Sequence, residues 1–146
     1  MFLFQFWLTG FLISLPPTFQ PPDSKPLVVV ITEYDNTQAP LRVGVFERNG
    51  GFPKDNRGAK GYELKPSGHA SATLTIRDIG YGEYVVAIFQ DLNNNGKLDK
   101  SLVGFPKEPY CFSNNYNPRF RAPRFDDCRF SYSPTQTEVR VRMLNN

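Results

Sequence analysis

The chain has 146 residues, a length that fits one domain able to bury a sizeable core. Hydrophobic residues make up 40% and charged residues 21%, the ordinary range for a globular protein, and 13 Pro and 11 Gly exclude long helices. The net charge of +3 is too small to indicate a nucleic-acid partner on electrostatic grounds.

An apolar block at residues 2–15 opens the chain, and five prolines follow it within eleven residues. The block is too short to span a bilayer comfortably, and an apolar block ahead of a polar, Pro-rich stretch is typical of a secretory signal peptide. No Lys or Arg precedes the block, so a buried N-terminal segment is the alternative. We expect residues 1–26 to be signal peptide and linker, residues 27–146 to be the domain, and the protein to be periplasmic, cell-surface or secreted.

From Leu27 onward the hydrophobic pattern has a period of two, which is typical of β-strands. The predicted strands, in chain order, are residues 27–34, 41–47, 62–65, 70–77, 83–90, 129–132 and 137–143. The run 83–90 is almost continuously apolar, which predicts a central strand buried on both faces. Short strands with turn signals between them predict an all-β fold, an antiparallel sandwich of seven strands with a long C-terminal loop region.

Residues 91–99, directly after the predicted central strand, carry the clearest chemical pattern in the chain. Oxygen-bearing side chains stand at positions one, three, five and nine and glycine at six, as at the start of an EF-hand calcium loop. The predicted metal ligands are the side chains of Asp91, Asn93, Asn95 and Asp99 and the backbone carbonyl of Lys97. The alternative is a polar turn, because Asn and Asp form Asx-turns and Asn-Gly is a strong hairpin signal.

The twelfth position of this pattern is Leu102, where an EF-hand has a bidentate Glu. We therefore expect a ligand from elsewhere to close the site, and the candidates are Glu108, Asp126 and Asp127. With few carboxylates, such a site predicts weak calcium binding, in the range of about 10⁻⁴–10⁻³ M, and a structural role.

Cys111 and Cys128 are the only cysteines in the chain. In an exported protein we expect them to form a disulfide, whereas two independent buried thiols are the better interpretation for a cytoplasmic one. His69, the only histidine, has no nucleophile or acid patterned around it and is interpreted as a surface turn residue.

Aromatic side chains are frequent between Phe105 and Arg129, and from residue 119 they alternate with Arg. We expect most of the rings to anchor a loop to the core. The Arg side chains are expected to pair with nearby acids, which balance the charge. The alternative is a groove for a sugar or a peptide, lined by Phe105, Tyr110, Phe112, Tyr116, Phe120 and Phe125.

The sequence resembles a bacterial family known as domain of unknown function 2141. The resemblance rests on residues 43–46 with 51–53, 84–91 with 93–99, 104–110, 112–115 and 125–127. It implies an exported, transthyretin-type or immunoglobulin-like β-sandwich and carries over no catalytic residues. Where the family pattern leads us to expect Gly after Tyr110, this chain has Cys111, which together with Cys128 suggests a disulfide particular to this branch.

Two functions follow as expectations. The first is a non-enzymatic exported β-sandwich with a weak structural calcium site and a cell-surface glycan or protein as partner. The second is a carbohydrate- or peptide-binding module, or an enzyme, that uses the surface of residues 105–129.

Overall fold

The computed structural model describes residues 24–35, 38–67 and 71–144. Residues 1–23 of the predicted signal peptide and linker, and His69, lie outside the described residues. The strands are β1 (Leu27–Thr32), β2 (Leu41–Glu47), β3 (Lys60–Leu64), β4 (Ser71–Ile76), β5 (Gly82–Gln90), β6 (Tyr110–Phe112), β7 (Phe130–Tyr132) and β8 (Glu138–Arg142). The predicted all-β class is confirmed.

Helical structure within the described residues is limited to a 3-10 turn, Ser113–Asn115, and a four-residue helix α1, Phe125–Cys128. A membrane-spanning helix needs about 20 apolar residues, and none in the described part of the chain has that length and character.

The strands form two sheets. The smaller has the order β4-β1-β8, and the larger has the order β3-β2-β5-β6 with β7 pairing with β5 beside the other end of that strand. β1 and β8 run parallel, whereas the other strand pairs are antiparallel. The structure thus differs from the expected seven antiparallel strands: β6 is an eighth strand, too short to give a periodic signal, and one pair is parallel.

The hydrophobic core lies between the two sheets and draws on alternate residues of both. Val29 and Ile31 of β1 are fully buried and cluster with Val43 of β2 and Val86 of β5. Burying each such side chain stabilises the fold by about 1.5–3 kcal/mol. This packing explains the period of two that the sequence displays from Leu27 onward.

β5 is buried along its inner face from Tyr84 and around Val85 on its outer face, so the expected burial on both faces holds for part of the strand. Tyr84, Val86 and Ile88 face the core between the sheets. Val85 faces outward and packs with Phe46 and Cys128 in a second cluster, which α1 covers. Towards its C-terminal end β5 is not covered by α1, and this leaves part of the outer face of the larger sheet open.

The predicted disulfide is absent, since Cys111 and Cys128 are both free and buried. Cys111, on β6, belongs to the core between the sheets, and its Sγ lies 3.3 Å from Sδ of Met143. Cys128, on α1, belongs to the cluster on the outer face. The larger sheet therefore separates the two thiols. Burial raises the pKa of each thiol to about 12, so both are held protonated.

Candidate functional site: the Asp91 loop and the groove beside it

The carboxylate of Asp91 organises the loop that follows β5. Its side chain is 0% exposed. Oδ1 accepts a hydrogen bond from the backbone N–H of Asn95 at 2.9 Å, and Oδ2 accepts one from Gly96 at 2.8 Å. Gly96 has φ +75, a backbone conformation that suits glycine and allows the sharp turn. One buried carboxylate thus folds the loop back on the strand end.

Arg42 of β2 completes the surroundings of Asp91, with Nε 3.1 Å from Oδ2. Burial raises the pKa of Asp91, but the hydrogen bonds from Gly96, Arg42 and Asn95 together outweigh burial, and the pKa lies below its ordinary value. The carboxylate is therefore ionised and is neutralised by the guanidinium.

The remaining predicted ligands lie in the same hydrogen-bonded loop. The side-chain amides of Asn93 and Asn95 donate to the carboxylate of Asp99, at 2.7 Å and 3.1 Å. Oδ1 of Asn95 accepts from the backbone N–H of Lys97 at 2.8 Å. The oxygens that the sequence pattern assigns to calcium are thus used here for contacts within the loop. Among the described residues, no three His, Cys, Asp or Glu side chains are grouped to hold a metal ion.

Glu108 joins the two ends of the Asp91 loop. Its side chain is buried, Oε1 accepts from the backbone N–H of Leu92 at 2.9 Å, and Oε2 accepts from that of Asp99 at 3.0 Å. Glu108 thus contacts the Asp91 loop through two backbone hydrogen bonds, and its role as a metal ligand stays a prediction.

Asp126 and Asp127 do not reach the Asp91 loop, and the expectation that they close it is wrong. Asp126 contacts Arg48, just after β2, at 2.9 Å, whereas Asp91 contacts Arg42 near the start of that strand. Six residues of extended strand separate the two ends by about 20 Å. Asp127 instead binds Arg121 at 2.6 Å and accepts from the backbone N–H of Arg124 at 2.7 Å, which holds α1 in place.

A hairpin of residues 99–107 follows the Asp91 loop. The backbone N–H of Lys107 donates to the carbonyl of Asp99 at 2.8 Å, and that of Ser101 donates to the carbonyl of Phe105 at 2.7 Å. The N–H of Gly104 closes the tip by donating to the carbonyl of Ser101 at 2.9 Å. Because Asp99 is also bound by Glu108, the base of the hairpin is anchored to the Asp91 loop.

The hairpin forms one wall of a groove on the outer face of the larger sheet. The groove has a volume of about 1080 Å³, and its other walls come from residues 52–56 and 118–123. Small residues lie side by side across its floor, since Gly44 pairs with Gly61 on one side and with Ala87 on the other. A Cβ at Gly61 would meet no atom within 4 Å, so the groove is open above this position.

Seven aromatic side chains line the groove. Four of them stack edge to face in a row, with ring centroids 5.3 Å apart for Phe46 and Phe52 and 5.8 Å apart for Phe52 and Phe112 and for Phe112 and Tyr110. The lining rings are Phe46, Phe52, Phe89, Phe105, Tyr110, Phe112 and Phe120, whereas Tyr62 of β3 packs against the core between the sheets.

Four of these seven rings were predicted from the sequence. Phe105, Tyr110, Phe112 and Phe120 line the groove, whereas Tyr116 and Phe125 pack against the cluster under α1. The other three rings come from β2, the loop after β2 and β5. Their signal would have been the outward phase of Phe46 and Phe89 on strands whose inward residues are apolar.

The groove carries uncompensated positive charge. Its two acidic residues are both paired, Asp55 with Arg57 at 3.1 Å and Glu63 with Arg42. Lys54, Lys97, Lys100 and Arg119 also line it, and none of the four has an ion pair within the described part of the chain. An anionic or hydrogen-bonding ligand would therefore meet free cations at the edge of an aromatic floor.

A family model described as "Uncharacterized protein conserved in bacteria (DUF2141)" matches residues 29–140. The match covers well over half of the chain and includes the Asp91 loop, the hairpin and the groove. The chain belongs to this family. No curated protein and no solved structure matches the chain significantly. Membership confirms the resemblance expected from the sequence, and the family description assigns no activity.

Proposed function

We propose that this DUF2141 protein is a non-enzymatic, exported binding module that holds a glycan chain in the groove on its larger sheet. The observation that carries the proposal is an open groove with an aromatic floor, which the hairpin walls on one side. Ligand sites of this size combine apolar and aromatic lining with a few polar groups at defined positions. Export accords with the apolar block at residues 2–15, and a transthyretin- or immunoglobulin-like sandwich accords with two sheets packed over one core.

A glycan fits this groove better than a small apolar molecule does. Sugars present apolar ring faces to aromatic side chains and hydroxyl groups to polar ones, and both kinds of side chain line the groove. Arg42, Asp55 and Asn56 can hydrogen-bond a hydroxyl group at the edge of the floor. The groove is open to solvent, so a polymer can pass through it.

Affinity electrophoresis tests this proposal directly. The protein is run in native gels that contain dissolved neutral or acidic polysaccharides, and sedimentation with insoluble cell-wall polymer covers the glycans that do not dissolve. We expect retardation by at least one glycan, and we expect Gly61→Leu to abolish it because the new side chain fills the open floor.

The matched control is Arg77→Leu, an exposed residue after β4 that does not line the groove and should leave retardation unchanged. Equal retardation of Gly61→Leu and the parent protein would rule out the groove as the site. Binding of extended peptides but not of any glycan, lost in Gly61→Leu, would replace the glycan with a peptide ligand.

We also propose that the Asp91 loop binds calcium weakly, as a structural ion. Support comes from the arrangement of Asp91, Asn93, Asn95 and Asp99, whose oxygens lie within one hydrogen-bonded turn around Gly96. An ion would take over the role that the Asn93 and Asn95 amides now fill at Asp99. The guanidinium of Arg42 beside Asp91 keeps the affinity low.

Thermal unfolding with and without calcium tests this second proposal. With a dissociation constant of about 1 mM, 5 mM calcium should stabilise the protein by about 1 kcal/mol and raise Tm by about 3 °C. Magnesium at the same concentration is the control ion, and Asp99→Asn should remove the calcium effect. The same Tm in calcium, magnesium and chelator would exclude the site and leave the loop as a polar turn.

A further inference from the structure

Large apolar side chains are exposed at the tip of the hairpin. Leu102 is fully exposed, Val103 is 79% exposed and Phe105 is 62% exposed. Phe120, in the neighbouring wall of the groove, is 99% exposed. Of the six exposed large hydrophobic side chains in the described residues, four therefore lie in the hairpin and the wall at 118–123.

The hairpin is closed by hydrogen bonds, and its turn holds Leu102 and Val103 in solvent. Leu102 and Val103 occupy the middle of a turn closed by the hydrogen bond from Gly104 to Ser101. Ser101 binds Phe105 through both its backbone N–H and its Oγ, at 2.7 Å and 3.1 Å. Turns in water usually carry Gly, Asn, Asp, Ser or Pro at such positions. An aliphatic pair held there indicates an apolar environment that the free domain does not supply.

Cations without acidic partners lie near the apolar residues in the chain and in the groove walls. Lys97 and Lys100 lie in the chain just before it, and Arg119 precedes Phe120. All three side chains are exposed and have no ion pair within the described residues. An anionic bilayer has acyl chains beneath negative headgroups. Exposed apolar side chains with unpaired cations nearby match this layering.

We propose that the hairpin tip and Phe120 dock the protein onto an anionic lipid surface. Leu102, Val103 and Phe120 enter the boundary between headgroups and acyl chains, while Lys97, Lys100 and Arg119 contact the anionic headgroups. A flat bilayer fits a convex apolar tip better than a folded protein partner does, since the latter would need a matching pocket. Some of these residues also line the groove, but the lipid proposal does not require a ligand in the groove and is tested with vesicles alone.

Vesicle co-sedimentation of the full chain provides the test. Vesicles of phosphatidylcholine alone are compared with vesicles that contain phosphatidylglycerol, at low and at high salt. We expect binding to the anionic vesicles that weakens at high salt. Every variant carries the same residues 1–26, so a difference between variants reports the folded domain and excludes the N-terminal apolar block as its cause.

Two sets of substitutions separate the apolar and the charged contributions. Leu102→Ser with Val103→Ser should weaken partitioning into anionic vesicles by about ten-fold, because two apolar side chains no longer enter the bilayer. Lys97→Gln with Lys100→Gln should weaken it by about 25-fold at low salt, from about five-fold for each lost cation. The controls are Leu92→Ser and the pair Lys65→Gln with Arg77→Gln, which remove equivalent groups away from the tip.

The outcomes are distinct. Losses confined to the tip variants, with unchanged unfolding curves, support the proposal. Equal binding of the tip variants and their controls overturns it. A tip variant that alters the oligomeric state in size-exclusion chromatography but not vesicle binding also overturns it, because the tip would then be a surface between copies of the chain. Glycan retardation of the same variants is recorded separately, so failure here leaves the groove proposal intact.

Discussion

The Asp91 loop and the adjoining hairpin are neighbours in sequence, but their chemistry is opposite. In the loop, the carboxylates of Asp91 and Glu108 are buried and accept hydrogen bonds from four backbone N–H groups. In the hairpin, Leu102 and Val103 project into solvent and contribute nothing to the core. The polar groups of the Asp91 loop have hydrogen-bond partners within the domain. The apolar side chains of the hairpin have no apolar partners in either core cluster.

In this protein, the segment with a recognisable motif is not the segment with the exposed binding surface. The loop carries the recognisable pattern, yet its hydrogen bonds explain most of that pattern as a device that anchors the hairpin. The hairpin and the groove carry no motif, yet they hold the exposed rings and the unpaired cations. We therefore assign support to the loop and binding to the surfaces it positions. Four measurements test this division of roles.

Removing the Asp91 carboxylate should have the largest effect on stability. In Asp91→Ala, the N–H of Gly96 loses its acceptor, and the N–H of Asn95 and the guanidinium of Arg42 each lose one acceptor. We expect a loss of about 3 kcal/mol in the free energy of unfolding, measured by urea denaturation. Asp126→Ala, which removes an exposed carboxylate from an ionic cluster, should cost far less, because solvent screens its ion pairs. Similar costs for the two variants would contradict a supporting role for the loop.

Glu108→Ala should cost about 2 kcal/mol, because two backbone N–H groups are left without an acceptor. It should also loosen the hairpin, so trypsin should cut after Lys100 or Lys107 faster than in the parent protein. Glu108→Gln keeps one acceptor oxygen and should lie between the two. If the rate of cutting were the same in all three proteins, the hairpin would not depend on this anchor.

The stability should fall in acid partly through Asp91. The pKa of Asp91 in the folded protein is below the unfolded value of about 3.9, so the unfolded chain binds the proton first as pH falls. The stabilisation from the ionised Asp91 is complete above the pKa of the unfolded state, and it is lost as the pH falls towards the pKa of the folded state. Urea denaturation between pH 6 and pH 3 should therefore show a smaller fall for Asp91→Asn than for the parent protein. Parallel curves would mean that other carboxylates carry the whole acid response.

Filling the groove floor should have the smallest effect on stability. In Gly61→Leu the new side chain points into open space, and replacing a strand glycine should change the free energy of unfolding by no more than about 1 kcal/mol, in the stabilising direction. Gly44→Leu is the matched contrast, since its Cβ would lie 2.8 Å from Cε2 of Phe46 and should cost about 1–3 kcal/mol. A large loss in Gly61→Leu would mean that the groove is closed in solution.

Strand positions were predictable wherever side chains alternate over several residues. The predicted strand 41–47 has the bounds of β2, and the predicted strand 83–90 differs from β5 by one residue. β6 was not predictable, because three residues that join an existing sheet edge need no pattern of their own. The parallel pairing of β1 with β8 was equally hidden, since strand direction depends on the path of the chain between strands.

In the candidate site, only the residues that lie close together in sequence were predictable. Asp91, Asn93, Asn95 and Asp99 act within nine residues, so local spacing was enough to place them in one loop. Asp126 and Asp127 were misplaced because their position depends on which end of the sheet α1 covers. The cysteine pair was misjudged because sequence separation does not reveal that a sheet lies between Cys111 and Cys128.

Sequence patterns were enough to predict the all-β class, the central position of β5, the family and the local geometry of the Asp91 loop. Each of these depends on short-range periodicity, on spacing within one turn or on similarity along the chain. Three features could be seen only in the folded protein. Glu108 anchors the loop, small residues of three strands open a groove, and Leu102 and Phe120 stay exposed. Those features depend on the register and packing of distant segments, because burial is a property of the assembled surface and not of the residue type.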